Sequence, residues 1–291
     1  MTVRPRRPPP GGAPRRRPPR RRRPWLWLLV LAVPAAVLVI GKLTGAFSGE
    51  EGPATTTASV PPPVGVTFPE GLRREEIARL LARDTRLSAS AYLAATGPSA
   101  RGARLAGRDA PTSLEGFLFP ARYLIGRRTT VADLVNAQVS AYEGASATVD
   151  YRYARSRHLT RYDVLIIASM IEREVQDPRE RALVSSVIYN RLRRRIPLQI
   201  DATVLYALGS WTAKLDQSTL SVRSPYNTRQ VVGLPPGPIS NPGLASLTAA
   251  AHPKRTSYLY YVARNDGTGR HYFTDSYEQF LVDKAKAAAQ Q

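Results

Sequence analysis

The chain has 291 residues, 43% of them apolar and 22% charged, enough for one large or two small globular domains. It has no cysteine, which excludes disulfides, a thiolate nucleophile and any Cys-ligated metal or iron–sulfur site. Its three histidines have no metal-binding spacing and no Gly-rich phosphate loop or GxSxG elbow occurs, so no metal and no cofactor is expected.

Of the 42 basic residues, ten arginines fall in the first 24 positions, interleaved with eight prolines and no acid, so half of the net charge of +20 sits there. Residues 1–24 have too little apolar side chain to offset the entropy of ordering and are expected to be a disordered tail. Trp25 to Gly41 is then a run of 17 uncharged residues. With its flanks, over 25–43, it is long enough as a helix to cross a hydrocarbon core of about 30 Å. Trp25 and Trp27 suit the headgroup level at its arginine-rich end, and Pro34 is tolerated within a membrane span. No good small-x-small cleavage site follows, so the run reads as a retained single-pass anchor in the cell membrane rather than a signal peptide. The positive-inside rule puts the N-terminus in the cytoplasm and everything after the span outside. The arginines then meet anionic membrane lipid, and no nucleic-acid partner is expected.

Residues 44–63 are rich in Gly, Pro and Thr and read as a flexible linker. Order is expected from Val64, with a short alternating strand over Val64–Phe68, a turn at Pro69-Glu70-Gly71, and an amphipathic helix over 72–83. A second short helix over 88–96 completes a small α/β subdomain at 64–96, which needs a neighbour to be stable. Residues 97–113 read as an irregular connection, and the main domain, mixed α/β, occupies 114–291. Within it, apolar spacing predicts a helix over 129–142 and a core helix over 162–175, apolar on nearly every face until Glu172. Asp177-Pro178-Arg179-Glu180 has the form of a helix start, with Glu180 placed to reach back as in a capping box, and that helix runs to about Arg194. The four prolines of Gly233–Gly243 exclude helix and central strand. Tyr258–Val262 and His271–Phe273, with Asp266-Gly267 between them, read as a β-hairpin. The mixture of core helices with antiparallel pieces gives an α+β fold class.

Glu172 is the most informative candidate, because a carboxylate at the end of an apolar helix is costly to bury as an anion. Without a cationic partner its pKa rises, as a general acid needs, while an ion pair with Arg173, Arg179 or another arginine is the equally weighted structural reading. Glu174 lies about 200° round the helix from Glu172, so the two acids face different ways, one inward and the other a solvated face charge. Asp201 is the remaining acid of interest, as a partner or as a turn or cap residue.

Several ordered motifs resemble those of the membrane-anchored endolytic murein transglycosylases, the MltG/YceG-like family. They begin with Leu114-Glu115-Gly116-Phe117-Leu118-Phe119-Pro120 and Ala168-Ser169-Met170-Ile171-Glu172-Arg173-Glu174. Ser186-Val187-Ile188-Tyr189-Asn190-Arg191-Leu192, Leu198-Gln199-Ile200-Asp201 and Tyr226-Asn227-Thr228 follow. Gly233-Leu234-Pro235-Pro236-Gly237-Pro238-Ile239, Asn241-Pro242-Gly243 and Ala250-Ala251-His252-Pro253 come next, then Tyr258 to Ala263 and His271-Tyr272-Phe273. The chain departs from the pattern at Ala121-Arg122, at Ala202 and at Arg229, and has no room for the LysM-like subdomain of typical members.

The resemblance implies a lytic transglycosylase that cuts the bond between N-acetylmuramic acid and N-acetylglucosamine in nascent peptidoglycan strands, leaving a 1,6-anhydro end and terminating polymerisation. It makes Glu172 the catalytic acid and base, with Gln199, Asp201, Tyr226 and Asn227 orienting the glycan. Pro235 and Pro236 form a groove wall or belong to a loop packed below it. Glu115 and His271 are placed behind the site, a satisfied core histidine being the favoured reading of His271. Implied partners are glycan strands, penicillin-binding protein synthases and other cell-wall elongation proteins. A catalytically silent, membrane-tethered scaffold is the competing class.

Overall fold

In the computed structural model, the described residues are 62–110 and 112–290. The arginine-rich tail, the predicted span at 25–43 and nearly all of the linker lie outside them. Among the described residues no helix is long and apolar enough to cross a membrane.

The chain opens with strand β1 (Val64–Thr67), whose turn leads into α1 (Arg74–Asp84), α2 (Ala89–Thr96) and α3 (Ala100–Ala106). Strand β2 (Arg122–Ile125) returns antiparallel to β1, pairing Val64 with Ile125 and Thr67 with Arg122. Then come α4 (Val131–Ala147), α5 (Arg152–Ser156), α6 (Arg161–Glu174), a 3-10 turn at Pro178–Glu180, and α7 (Arg181–Arg194). Helices α8 (Asp201–Ala207), α9 (Gln217–Leu220) and α10 (Leu244–Ala251) precede the hairpin of β3 (Tyr260–Ala263) and β4 (His271–Thr274), and α11 (Tyr277–Ala288) closes the chain. The fold is α+β, a helical body with two separate two-stranded antiparallel ribbons.

Helix α6 is the axis of the body. Thr160 accepts from the Asp163 N–H at 3.1 Å while Asp163 accepts from the Thr160 N–H at 2.8 Å, a reciprocal cap that fixes its start. Every residue from Val164 to Ile171 is buried, and α10, α7 and α8 pack around it. One apolar cluster takes in Phe68, Ile77, Leu81 and Tyr92 from the first segment together with Phe117, Leu165 and Ile171.

Two local expectations need correction. The stretch over 97–113 contains α3, because Ser99 caps it (Gly102 N–H to Ser99 Oγ, 3.2 Å) and Gly107 ends it at a φ of 63°. Its small residues let it lie flat on the neighbouring chain, where a Cβ on Gly102 would fall 1.8 Å from the Thr112 carbonyl oxygen. Asp177 does cap the following turn through the Arg179 N–H, but Glu180 turns away from the helix start and binds His271 instead.

Candidate active site

Beyond Ile171 the last turn of α6 leaves the core, and its three charged residues go separate ways. The Glu172 carboxylate accepts the Gly243 N–H at 3.0 Å, at the N-terminus of α10, and lies 3.7 Å from the Arg181 guanidinium. Only 6% of its side chain is exposed. Glu70, from the turn after β1, crowds the same corner, since a Cβ on Gly243 would fall 1.7 Å from its Oε1. Burial, and then the Glu172 charge, push the Glu70 pKa up. Arg173 donates to the Gly71 carbonyl at 3.3 Å and covers the Trp211 ring at 3.9 Å.

Glu174 turns the other way, toward the hairpin. The Tyr261 hydroxyl donates to its Oε2 at 2.9 Å and the Ala202 N–H to its Oε1 at 3.4 Å. Burial raises its pKa, the Asp201 charge adds to the rise, and the Tyr261 hydrogen bond opposes it. A carboxyl whose pKa is raised above the ordinary range keeps its proton to higher pH, as a general acid must, and can take one back once it has given it up.

Two cavities flank Glu174. One, of about 490 Å³, is lined by Gln199, Asp201, Arg229 and Tyr261, with the Tyr277 and Phe280 rings of α11 on its far side. The other, of about 530 Å³, is lined by Arg173, Gln176, Asn265 and Arg270. Glu174, Ala263 and His271 belong to both. Polar side chains beside aromatic rings suit a sugar, which has hydrogen-bonding edges and apolar faces. Among the described residues no group of three or more carboxylates and histidines is placed to hold a metal.

Of the residues singled out in the sequence, Gln199, Asp201 and His271 gather with Glu174. Gln199 adopts a φ of 55°, a left-handed conformation, and its Oε1 accepts from Arg191 at 3.1 Å. Asp201 is held by Arg229 through Nε at 2.8 Å, so the arginine that departs from the family pattern engages its carboxylate. His271 is buried, its Nδ1 2.7 Å from Glu180 Oε2. Glu172, Tyr226, Asn227, Pro235, Pro236 and Glu115 line neither cavity. The Asn227 amide is consumed internally, donating to the carbonyls of Leu220 at 3.0 Å and Val222 at 2.8 Å. The Tyr226 ring packs against that of Tyr206, tilted by 46° with centroids 4.8 Å apart. Pro235 is buried and Pro236 exposed, and the end of their loop is threaded over α6, where the Ile239 N–H donates to Ser169 Oγ at 3.0 Å. Glu115 is buried where the Asn241 amide reaches it at 2.8 Å, and burial drives its pKa to about 8.

The model of the YceG-like family matches residues 47–286. The chain belongs to the YceG-like family. The endolytic murein transglycosylase of Bacillus subtilis is 39% identical over 155 residues, which is 53% of this chain and 43% of that protein. The endolytic murein transglycosylase of Streptococcus pneumoniae R6 is 34% identical over 171 residues, 57% of this chain and 30% of that protein. This chain therefore matches less than half the length of either relative. A crystal structure of a yceG-like protein from Listeria monocytogenes superposes with a TM-score of 0.68 at 33% identity, covering 76% of each chain.

Sequence reasoning about this YceG-like chain passed over Glu174, Tyr261 and the α11 aromatics. Glu174 was expected to be a solvated charge; the hairpin folds over it, and the partner hydroxyl lies 87 residues away. Its one local signal was the Tyr258–Tyr261 run, three tyrosines in four residues beside a hairpin turn. Tyr277 and Phe280 carried a second, three apart on a helix and so on one face.

Proposed function

We propose that this chain is a membrane-anchored endolytic lytic transglycosylase acting on peptidoglycan, with Glu174 rather than Glu172 as the acid and base. The observation that carries this reading is the position of Glu174, a carboxyl with a raised pKa at the meeting of two cavities. A strand lying across it fills space on both sides of the cut, as cleavage within a chain requires. Glu172 differs from it in having a guanidinium, that of Arg181, 3.7 Å away and in lining neither cavity. The names carried by the Bacillus and Streptococcus relatives give the substrate class.

Protonated Glu174 donates its proton to the glycosidic oxygen as the bond from C1 of N-acetylmuramic acid breaks. N-acetylglucosamine leaves with that proton on its hydroxyl. The anionic carboxylate then takes the proton of the muramoyl C6 hydroxyl as that oxygen bonds to C1, closing the 1,6-anhydro ring and restoring the acid. No water and no second carboxylate takes part, in keeping with Asp201 being tied to Arg229. Tyr261 holds the carboxyl in line through its hydroxyl.

In the same reading residues 25–43 anchor the chain with its N-terminus in the cytoplasm, the catalytic unit acts outside the membrane, and cutting nascent strands beside their synthases ends their growth. The deciding experiment digests purified glycan strands with the parent chain, Glu174→Gln and Glu172→Gln, and weighs the products. We expect ends lighter by one water from the parent and from Glu172→Gln, with Glu174→Gln slower by at least about 10²-fold. Loss confined to Glu172→Gln would return the role to that residue, and an inactive parent would favour the scaffold.

A further inference from the structure

A third cavity, polar and of about 720 Å³, lies between α5, α7 and the segment after α10, and shares no lining residue with the two that flank Glu174. Arg157, Arg193, Lys254 and Arg255 line it, and no carboxylate does. All four are exposed, and among the described residues none has an acid within ion-pair distance. Elsewhere on the unit arginines do find acids, as Arg83, Arg152, Arg179, Arg229 and Arg270 show. Four like charges around one hollow repel each other, so the cavity is a standing attractor for negative charge.

Its cations are also partly oriented. The Arg157 guanidinium is over the Tyr153 ring at 5.1 Å, and Arg193 donates to Asn190 Oδ1 at 3.3 Å. Asn190 is buried and donates in turn to the carbonyls of Thr256 and Tyr258, both at 2.9 Å, which secures the loop carrying Lys254 and Arg255. The hydroxyls of Ser186 and Thr256 meet at 2.6 Å on the cavity wall. Planar guanidinium forks beside an ammonium and hydroxyl donors match the tetrahedral oxygens of a phosphate better than one flat carboxylate, and four cations call for more than one negative charge.

We propose that this cavity binds a phosphate-bearing group with at least two negative charges, a diphosphate or a cluster of phosphodiester headgroups, gripped by Arg157, Arg193, Lys254 and Arg255. The site is independent of the cleavage chemistry, and its occupant is either a soluble diphosphate or the anionic face of a lipid layer.

Arginine-selective dicarbonyl labelling tests this on the full chain in neutral detergent, with each modified position read by mass spectrometry. This readout resolves the cavity from the N-terminal arginines. The probes are inorganic pyrophosphate, citrate, and micelles doped with phosphatidylglycerol or phosphatidylcholine. We expect pyrophosphate or phosphatidylglycerol to slow labelling of Arg157, Arg193 and Arg255 by about tenfold while exposed Arg128 is unchanged. Protection by pyrophosphate alone assigns a soluble ligand, and protection by phosphatidylglycerol alone a lipid surface. The joint variant Arg193→Gln with Lys254→Gln should lose most of the protection at Arg157, whereas Glu174→Gln should keep it. Equal protection of Arg128, no protection, protection undiminished in the joint variant, or equal protection by citrate overturns the proposal.

Discussion

At Glu174 the same neighbours that bury the carboxyl also hold it. Tyr261 donates to Oε2, and this bond works against the rise caused by burial. Tyr261→Phe should therefore raise the Glu174 pKa further, moving the alkaline limb of the pH–rate profile upward, and should lower kcat by about tenfold or more through lost alignment. A profile that stays in place at reduced kcat would mean that the hydroxyl only packs. Glu115 gives a second test at this scale. Burial holds its folded pKa near 8 against an ordinary value of 4.5, so its contribution to stability is full below pH 4.5 and is lost as pH rises through about 8. Glu115→Gln should flatten the decline in denaturation midpoint across that window. Side-chain chemistry of this kind was only half legible in the sequence. The 200° separation of the two acids on α6 was available from helix geometry, but which one faces a groove was not, because Tyr261 and Ala202 arrive from distant segments.

Among the elements, the legible ones announce themselves through local signals. The core helix α6 appeared from its unbroken apolar run, and the hairpin from Asp266-Gly267 between aromatic strands. Helix α3 was missed because its buried positions are Gly102, Ala103 and Ala106 in a basic stretch, so little amphipathic contrast marks it; its real signals are Ser99 and Gly107 at the ends. The close approach at Gly102 supplies a test. A methyl there meets backbone rather than a flexible side chain, so Gly102→Ala should destabilise the unit by about 1–3 kcal/mol, measured by denaturant titration. Truncation in α6 works through a different term, a cavity in the packed centre. Ile167→Ala should cost about 2–5 kcal/mol in the same measurement. For loop 233–243 the prolines exclude regular structure, which was legible, but whether it forms a groove wall or packs below it was not, because its bonds to Ser169, Leu72 and Glu115 depend on segments far away in sequence.

For the molecule as a whole, the absence of cysteine makes the proposed orientation easy to check. A single Ser48→Cys should react with a membrane-impermeant maleimide in intact cells, and Thr2→Cys should react only after lysis; the reverse order would turn the chain around. Fold class and the order of elements were legible because each rests on patterns within a few turns of chain. The arrangement proposed as catalytic was not, because α6, α8 and β3 each supply one part of it. That dispersal has an outcome for the timing of activity. In the proposed mechanism the hydroxyl that aligns the acid comes 87 residues after it, so a partly folded copy has the carboxyl but nothing to aim it. If Glu174 is the acid, its alignment stays incomplete until the hairpin of β3 and β4 has closed.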